Sequence, residues 1–421
     1  MTMASDTALS KHCDVAVVGG GPSGIAAATR LKQLGVGNVV VIEREADTGG
    51  IPRHCGHSPF GLREFRRLMT GKQYAARLCY EAQSAGVHIC TGTNVVNLSS
   101  GLEPELTVTG NDGVKTISAR RVILATGVRE QSRAARMIGG KRLPGIVSTG
   151  ALQSLVYLKG LVPFSRPVIL GTELVSFSSL LTCRHAGANP VAMVEPNDRV
   201  TAWWYARGLP ALLGVPIHLG TKIQSIQGKE RMEGVVLQTS TGTMKKIDCD
   251  GLVVSGCFLP ESTLARSLNL AIDEGTLGPS VDQFGRCSSP HIFATGNLLR
   301  PVETAGWCWK EGIQTAEHVY LDLAGKLPDP VTAVPVVLDT SALKYVMAQR
   351  ICPDESGKPH FLQLRATRRV RGHLLAEADG EVIWSGMLDT RPERRIRIPV
   401  EPLRLAASKA RSLKIRLEEY A

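Results

Sequence analysis

A glycine fingerprint near the start of the chain constrains the fold more than any other feature. The pattern Gly19-x-Gly21-x-x-Gly24 directly follows an apolar run of strand length, residues 13–18. In such a fingerprint the first glycine allows a tight turn, the second lets the backbone approach a pyrophosphate, and the third lets a helix pack on the strand. Pro22 suits the first turn of that helix, whose free N–H groups and dipole attract phosphate. The segment therefore predicts a strand, a turn and a helix that bind a dinucleotide.

The residues that follow support this interpretation. A second apolar run, residues 39–42, ends in Glu43, which lies nineteen positions after Gly24. An acidic residue at that distance binds the ribose hydroxyls of a dinucleotide. The alternative is a glycine-rich turn in an unrelated α/β protein, which the order of strand, fingerprint, helix, strand and acid argues against.

A second unit of the same kind has lost its glycines. After the apolar run 167–170, the three glycine positions hold Gly171, Glu173 and Ser176, and the next run ends in Glu195. A carboxylate at Glu173 would fill the space of the pyrophosphate, and two like charges 4 Å apart repel by about 4 kcal/mol at an intermediate dielectric. We therefore expect no NAD(P) at this site. Two alternatives stay open: Glu173 turns outward and NAD binds weakly, or the remnant binds another nucleotide structurally.

Two later segments resemble those of the glutathione-reductase-like flavoproteins, which carry two dinucleotide sites. Residues 120–130 contain the sequence Ala125-Thr126-Gly127, and residues 291–312 contain Gly296-Asn297. In that family an aspartate at the second position of the later pair holds the ribityl chain of FAD. An amide at Asn297 can still hydrogen-bond a hydroxyl group, so the resemblance implies FAD as the cofactor. The predicted cofactor-binding residues are Gly19, Gly21, Pro22, Ser23, Gly24, Glu43, Arg44, Gly50, His54, Val95, Ala125, Thr126, Gly127, Gly296, Asn297 and Thr304.

Cysteine spacing restricts the chemistry. The disulfide reductases of this group carry a C-x-x-x-x-C pair after the paired glycines, and Cys55 has no partner at that spacing. The cluster His54, Cys55 and His57 indicates either a proton relay near the flavin or packing of a loop around it. Trp307-Cys308-Trp309 leaves a similar choice between stacking near the flavin and plain packing. We expect no metal site, because a fourth ligand is missing, and we assign no catalytic residue.

Periodicity and composition give the domain organisation. We predict an α/β fold with two Rossmann-like domains, the first of them split by the second, and a small antiparallel β domain at the end. The C-terminal region alternates apolar and polar residues, as half-buried strands do. The predicted boundaries are 12–155 for the first part of the FAD domain, 156–255 for the inserted degenerate NAD(P)-like domain, 256–325 for the second part, 326–337 for a Pro-rich linker and 338–421 for the β-rich interaction domain.

Charge and hydropathy exclude several classes. The net charge is +11, but the basic residues are dispersed, and their clearest clusters, 365–373 and 391–399, are typical of a solvated strand face or a docking surface for an acidic partner. We therefore expect no nucleic-acid binding. No apolar run reaches membrane-spanning length and no signal-peptide stretch is seen. This favours a cytoplasmic protein, with membrane association through partners left open. The ten cysteines form no C-x-x-C pair, which argues against a cluster or zinc carried by this chain.

A second resemblance depends on three segments, residues 49–78, 142–153 and 296–312. In these segments the chain resembles the FAD-binding alpha (A) subunits of multi-subunit amine and amino-acid dehydrogenases, such as those of opine oxidase, hydrogen cyanide synthase and dye-linked proline or hydroxyproline dehydrogenases. It implies a separate FAD-containing beta subunit, of the D-amino-acid-oxidase-like type, that oxidises a C–N bond. It also implies a [2Fe–2S] cluster, which here would come from a small partner subunit.

Three functions compete at this stage. The first is the electron-transfer subunit of such a dehydrogenase complex. The second is a self-sufficient NAD(P)H-dependent FAD oxidoreductase that tolerates Glu173. The third is a non-catalytic subunit with bound nucleotides as structural elements. The substrate, the electron acceptor and the stoichiometry do not follow from this sequence.

Overall fold

A computed structural model of the protein describes residues 10–202, 204–353 and 361–420. Most of the polar N-terminal segment, and residues 354–360 and 421 of the predicted β domain, lie outside the described residues.

The strands are short and numerous. They are β1 His12–Val18, β2 Val39–Ile42, β3 His88–Cys90, β4 Asn94–Leu98, β5 Glu105–Gly110, β6 Gly113–Leu124, β7 Val128–Glu130, β8 Gly139–Gly140, β9 Ile146–Ser148, β10 Pro167–Leu170, β11 Ala192–Val194, β12 Ile217–His218, β13 Thr221–Gln227, β14 Gly234–Thr239, β15 Met244–Asp248, β16 Gly251–Val254, β17 Phe258–Pro260, β18 Ile292–Ala294, β19 Val334–Leu338, β20 Leu343–Met347, β21 Arg350–Ile351, β22 Phe361–Ala366, β23 Val370–Ala378, β24 Glu381–Thr390, β25 Ile396–Pro399 and β26 Leu413–Glu419.

The helices are fewer. They are α1 Pro22–Gln33, α2 Leu62–Phe65, α3 Gly71–Ser84, α4 Thr149–Gln153, α5 Leu174–His185, α6 Gly208–Leu212, α7 Thr263–Ser267, α8 Ala305–Leu323 and α9 Val400–Ala407. A π-helix, Ser154–Leu158, and 3-10 turns at Ile51–His54, Trp204–Arg207, Gly296–Leu298 and Pro330–Thr332 complete the set.

The described chain divides into two compact units. The first unit comprises Met1–Gly50, Ala75–Val128 and Pro260–Ala421, and the second comprises Ile51–Tyr74 and Arg129–Leu259. The first unit contains a sheet in the order β3-β2-β1-β6-β5-β4, with β18 also paired to β6. Its central strands run parallel, as expected of apolar segments that are buried on both faces. Helices α1 and α8 pack against each other beside this sheet.

The C-terminal strands of the first unit form two further sheets, in the orders β21-β19-β26-β23-β24 and β20-β22-β25. They are mostly antiparallel, with a parallel pair between β19 and β26. Buried and more exposed residues alternate along β22, which confirms the period-two pattern of the sequence. Buried residues of these strands, including Leu362 and Leu364, belong to one hydrophobic cluster with Val18 and Leu298 of the dinucleotide-binding part.

The second unit repeats the Rossmann-like plan. Its parallel sheet has the order β12-β11-β10-β16-β9, and an antiparallel sheet has the order β15-β14-β13, with β8 beside β13. The predicted fold class is thus confirmed. The compact units have other extents than the predicted domains: residues 51–74 and 129–155 belong to the second unit. For residues 129–155 the reason is that β9 pairs with β16 and β8 with β13. The C-terminal strands belong to the first unit, because they share its core.

No helix in the described ranges is both long and apolar enough to cross a membrane.

Candidate functional site

Four loops of the first unit meet at one edge of its parallel sheet. Residue pairing places Val18 beside Ile42 and Leu124, and Leu124 beside Ala294, so β1, β2, β6 and β18 end at the same level. In open α/β sheets, ligands bind in the crevice outside the carboxyl ends of such strands. The loops that follow these strands carry most of the predicted cofactor-binding residues, which distant parts of the sequence supply.

Glycine fits the three fingerprint positions for different reasons. A Cβ on Gly19, whose φ is +111°, would lie 2.5 Å from the carbonyl oxygen of Ala125, and a Cβ on Gly24 would lie 2.0 Å from that of Gly19. The protein's own packing therefore requires both. A Cβ on Gly21 would meet no atom of the described residues within 4 Å. Gly21 thus faces open space at the N-terminus of α1, as a residue in a phosphate cradle does, and this geometry fits the pyrophosphate of FAD.

Glu43 is fixed at the end of β2. Its Oε2 accepts a hydrogen bond from the N–H of Gly20 at 2.7 Å, and its Oε1 accepts one from the N–H of Glu45 at 2.9 Å. The side chain is buried. Since an ionised carboxylate accepts about four hydrogen bonds, Glu43 keeps capacity for the two hydroxyls of a ribose. The neighbouring Arg44 is exposed, and its Nε lies 3.8 Å from a carboxylate oxygen of Glu45.

Asn297 uses its side chain within its own loop. Its Oδ1 accepts from the N–H of Glu303 at 2.7 Å, and its Nδ2 donates to the carbonyl oxygen of Glu303 at 3.1 Å. The amide therefore closes the loop between the 3-10 turn and α8. The resemblance implies that Asn297 contacts the ribityl chain of FAD directly. This contact remains a prediction, and the second N–H of the amide would make it.

Helix α8 begins beside that loop. Thr304 is the N-cap residue, with extended backbone angles, and its side chain caps no N–H of this helix. The first turn of α8 holds no acidic residue, and the helix dipole is positive at this end. The N–H of Gly296, at the start of the same loop, donates to Oε2 of Glu311 in this helix at 3.0 Å.

The remaining predicted residues lie in five separate segments of the chain. Gly50 is close to the cradle, since its added Cβ would lie 3.0 Å from the Cα of Gly21. Val95 lies in β4 and is buried in the hydrophobic core. His54 belongs to the second unit, at the end of the 3-10 turn Ile51–His54. Pro22 and Ser23 begin α1, and Ala125, Thr126 and Gly127 follow β6.

Cys55 is a buried structural thiol. Its Sγ lies 3.4 Å from the carbonyl oxygen of Ile51 and 3.5 Å from Oε1 of Gln153. Burial raises its pKa to about 12, so the nucleophilic thiolate is scarce at neutral pH. This favours the loop-packing interpretation over redox chemistry at Cys55. Burial likewise raises the pKa of Cys308 to about 12. Across the described residues, no cluster of three or more His, Cys, Asp and Glu side chains could hold a metal ion.

The second unit has an equivalent crevice, and a carboxylate fills it. The loops after β9, β10 and β16 lie at the carboxyl ends of adjacent parallel strands. Glu173 turns inward: its Oε1 accepts from the N–H of Cys257 at 3.1 Å, and a Cβ on Gly256 would lie 2.3 Å from that oxygen. Burial raises the pKa of Glu173. The alternative in which Glu173 points outward therefore does not describe this structure.

A second carboxylate, Glu130, also occupies this crevice, and the sequence analysis did not identify it. Glu130 accepts from the N–H of Gly256 at 2.9 Å and from the N–H of Gly150 at 2.8 Å. Glu130 follows the Ala125-Thr126-Gly127 segment and lies far from the second fingerprint in sequence, so no local pattern indicates this role. The N–H groups of Gly150, Gly256 and Cys257 in this crevice thus donate to the protein's own carboxylates.

Glu195, at the ribose-binding position of this unit, also uses its carboxylate for hydrogen bonds within the protein. It is 3% exposed. Its Oε1 accepts from the backbone and side chain of Asn197 at 3.0 and 2.7 Å, and its Oε2 accepts from Thr172 at 2.5 Å and Thr201 at 3.4 Å. Four donors saturate the carboxylate. Glu43 has two such donors, so the two acids at equivalent positions differ in what they can still bind.

The family signature for "Pyridine nucleotide-disulphide oxidoreductase" matches residues 13–318. The chain belongs to this family. Together with the cradle at Gly21 and the fixed Glu43, this makes it an FAD-dependent oxidoreductase. It resembles the two-dinucleotide flavoproteins in fold and lacks the cysteine pair of their disulfide reductases.

Relatives include components of larger enzymes. The ferredoxin reductase component of chlorobenzene dioxygenase from Cupriavidus sp. (strain PS12) is 27% identical over 73% of this chain and 71% of its own length. The HcnB subunit of hydrogen cyanide synthase from Pseudomonas protegens is 25% identical over 67% of this chain and 65% of its own. The A subunit of opine oxidase from Rhizobium meliloti is 27% identical over 48% and 42%. The chain thus spans about two thirds or less of the latter two relatives.

Among solved structures, thioredoxin reductase of T. acidophilum superposes with a TM-score of 0.63 at 20% identity, over 74% of this chain and 99% of that one. At this identity the likeness describes the fold alone.

Proposed function

We propose that this chain is the FAD-containing electron-transfer subunit of a multi-subunit amine or amino-acid dehydrogenase. A separate FAD-containing beta subunit, of the D-amino-acid-oxidase-like type, oxidises a substrate such as proline, hydroxyproline or an opine. Electrons reach this chain through flavin or a [2Fe–2S] cluster on a small partner subunit. The observation that carries the proposal is the crevice of the second unit, where the carboxylates of Glu173 and Glu130 occupy the carboxyl ends of the strands and bind the backbone N–H groups there.

Bound FAD supplies the electron-transfer chemistry. The chain's own residues bind and orient it: the loop at Gly21 and the N-terminus of α1 hold the pyrophosphate, and Glu43 holds the ribose of the adenosine. The N-terminus of α8, whose first turn holds no acidic residue, would present its positive dipole end to the flavin ring. The relatives from hydrogen cyanide synthase and opine oxidase, both named as subunits, support an assembly with further chains.

An anaerobic visible spectrum of the purified chain tests the proposal. We expect the flavin absorption at about 450 nm to stay unchanged after addition of NADH or NADPH. In the complex with its partner subunits, the same band should bleach on addition of the amine substrate. Oxidation of an amine by the isolated chain would contradict the proposal.

A second candidate is an NAD(P)H-dependent FAD reductase. The retained Gly171, with a φ of +108°, and the likeness to the chlorobenzene dioxygenase reductase component favour it. It predicts rapid bleaching of the isolated chain by NADH or NADPH, so the same spectrum distinguishes the two candidates.

A further inference from the structure

The residue before the N-cap of α8 is held by three arginines. Glu303 is 6% exposed in its side chain. Arg365, from β22, donates to its Oε1 at 2.8 Å, and Arg395, just before β25, donates to both of its oxygens. Arg300 lies 4.0 Å from the same carboxylate. Burial alone would raise the pKa of Glu303, but the hydrogen bond from Arg395 and the charges of Arg300 and Arg365 hold it below its usual value.

The backbone of the loop from Gly296 to Thr304 is held at both ends. At one end, Glu311 accepts from the N–H of Gly296 and from Nη1 of Arg300, each at 3.0 Å. At the other, the Asn297 side chain pairs with the backbone N–H and carbonyl of Glu303. Arg300 is 2% exposed, and its Nε donates to Gln363 of β22 at 3.1 Å. Strand β22 therefore contacts this loop through Gln363 as well as through Arg365.

Arg395 also contacts the first turn of α8. The guanidinium carbon of Arg395 lies 4.0 Å from the centre of a Trp307 ring, a cation–π distance. Arg395 therefore joins the carboxylate of Glu303 to the helix turn that follows it.

This cluster carries unequal charge. It contains three guanidinium groups, on Arg300, Arg365 and Arg395, and two carboxylates, on Glu303 and Glu311. The excess positive charge lies at the N-terminal end of α8, where the helix dipole is also positive. In a poorly solvated site such charge acts more strongly than it would in water.

We infer that Arg365 and Arg395 are positioning residues of the FAD site: through Glu303 they fix the 296–304 loop and the first turn of α8, and they set the positive charge there. The C-terminal strands thus complete the flavin site, besides any role in docking. The inference rests on the FAD binding that the proposed function also requires. It predicts that the cluster raises the reduction potential of bound FAD, because reduction adds negative charge near it.

The full-length holoprotein provides the test through two substitutions of opposite sign. Arg395→Gln removes one positive charge, so the reduction potential measured by dye equilibration should move to more negative values, and FAD should bind at least tenfold more weakly. Glu303→Gln removes one negative charge, so the potential should move to more positive values. Arg368→Gln is the matched control, since its pair with Glu419 is on the exposed surface, and it should change neither quantity. Circular dichroism verifies that each variant folds.

The sign of the potential shift decides the outcome. Opposite shifts in Arg395→Gln and Glu303→Gln support the inference. Unchanged potentials, or shifts of the same sign, would overturn it even if FAD affinity falls, because loosening of the fold alone explains a loss of affinity. If Arg395→Gln does not fold, Arg365→Gln takes its place with the same expected shift. Failure of the wild-type chain to bind FAD would reject the proposed function itself, which is a separate result.

Discussion

The N–H groups of Gly150, Gly256 and Cys257 all donate to Glu130 or Glu173. Glu173 stands at the fingerprint position that Gly21 holds in the first unit, where an added Cβ would meet no described atom within 4 Å. At the scale of the residue, the crevices of the two units therefore differ. In the second unit side-chain carboxylates bind the backbone N–H groups, whereas in the first unit the position of Gly21 is open. The sequence identified Glu173 from its place in the fingerprint. It could not identify Glu130, because a contact between distant segments leaves no local pattern.

Removing both carboxylates should restore nucleotide binding. We expect Glu173→Gly combined with Glu130→Ala to tighten NADH binding at least tenfold, whereas Glu173→Gly alone gives less, because Glu130 still occupies two of the N–H donors. The repulsion removed is of the order of 4 kcal/mol per charge pair at intermediate dielectric. Fluorescence titration with NADH measures the affinity. Glu230→Gln, at an exposed position of the same unit, is the control, and an equal affinity in all variants would contradict the prediction.

Thiol reactivity should separate the cysteines. Because burial raises the pKa of Cys55 and Cys308 to about 12, the thiolate of each is present only as pH approaches that value, and neither should react with iodoacetamide at pH near 8. Cys257 is exposed and should be alkylated first. Mass spectrometry of the labelled, folded protein checks the order. Early labelling of Cys55 would show that its loop opens.

At the scale of the element, the fingerprint predicts β1, the turn and α1 correctly, because the close local packing at Gly19 and Gly24 admits no side chain. The shape of the loop that contains Asn297 could not be predicted in this way. Its composition indicates FAD binding, but its shape depends on Glu303 and on arginines more than sixty residues away. The same applies to β9, whose pairing with β16 moves residues 129–155 out of the predicted FAD domain.

Substitutions of two fingerprint glycines should therefore have distinct effects. Gly24→Ala places a Cβ 2.0 Å from the carbonyl oxygen of Gly19, so α1 must shift, and the apoprotein should lose about 1–3 kcal/mol of unfolding free energy. Gly21→Ala meets no atom of the described chain within 4 Å and should leave apoprotein stability unchanged while abolishing FAD binding. Denaturant unfolding and FAD titration measure the two quantities. Gly208→Ala, at a position with equally open surroundings, is the control; equal stability losses at Gly21 and Gly24 would contradict the argument.

At the scale of the whole molecule, the C-terminal strands are part of the core of the first unit. The sequence correctly indicates their antiparallel character, since alternation is a local signal. It does not indicate that these strands share a hydrophobic cluster with the dinucleotide-binding sheet, because apolar positions do not specify their partners. The Pro-rich stretch 326–337 reads as a linker, yet β19 Val334–Leu338 lies partly within it and pairs with β21 and β26.

A cavity in the C-terminal strands should therefore lower the temperature at which FAD is released. Leu364 is fully buried in the cluster that includes Val18 and Leu298, and Leu364→Ala should cost about 2–5 kcal/mol of unfolding free energy. Because the two parts share one core, we expect FAD release and loss of secondary structure to shift together to a lower temperature. Flavin fluorescence and circular dichroism, recorded on the same thermal scan, compare the two transitions. Leu405→Ala, at an exposed position, should leave both in place. An FAD release temperature unchanged by Leu364→Ala would mean that the C-terminal strands unfold independently of the flavin site, and that their contact with the 296–304 loop adds nothing to cofactor retention.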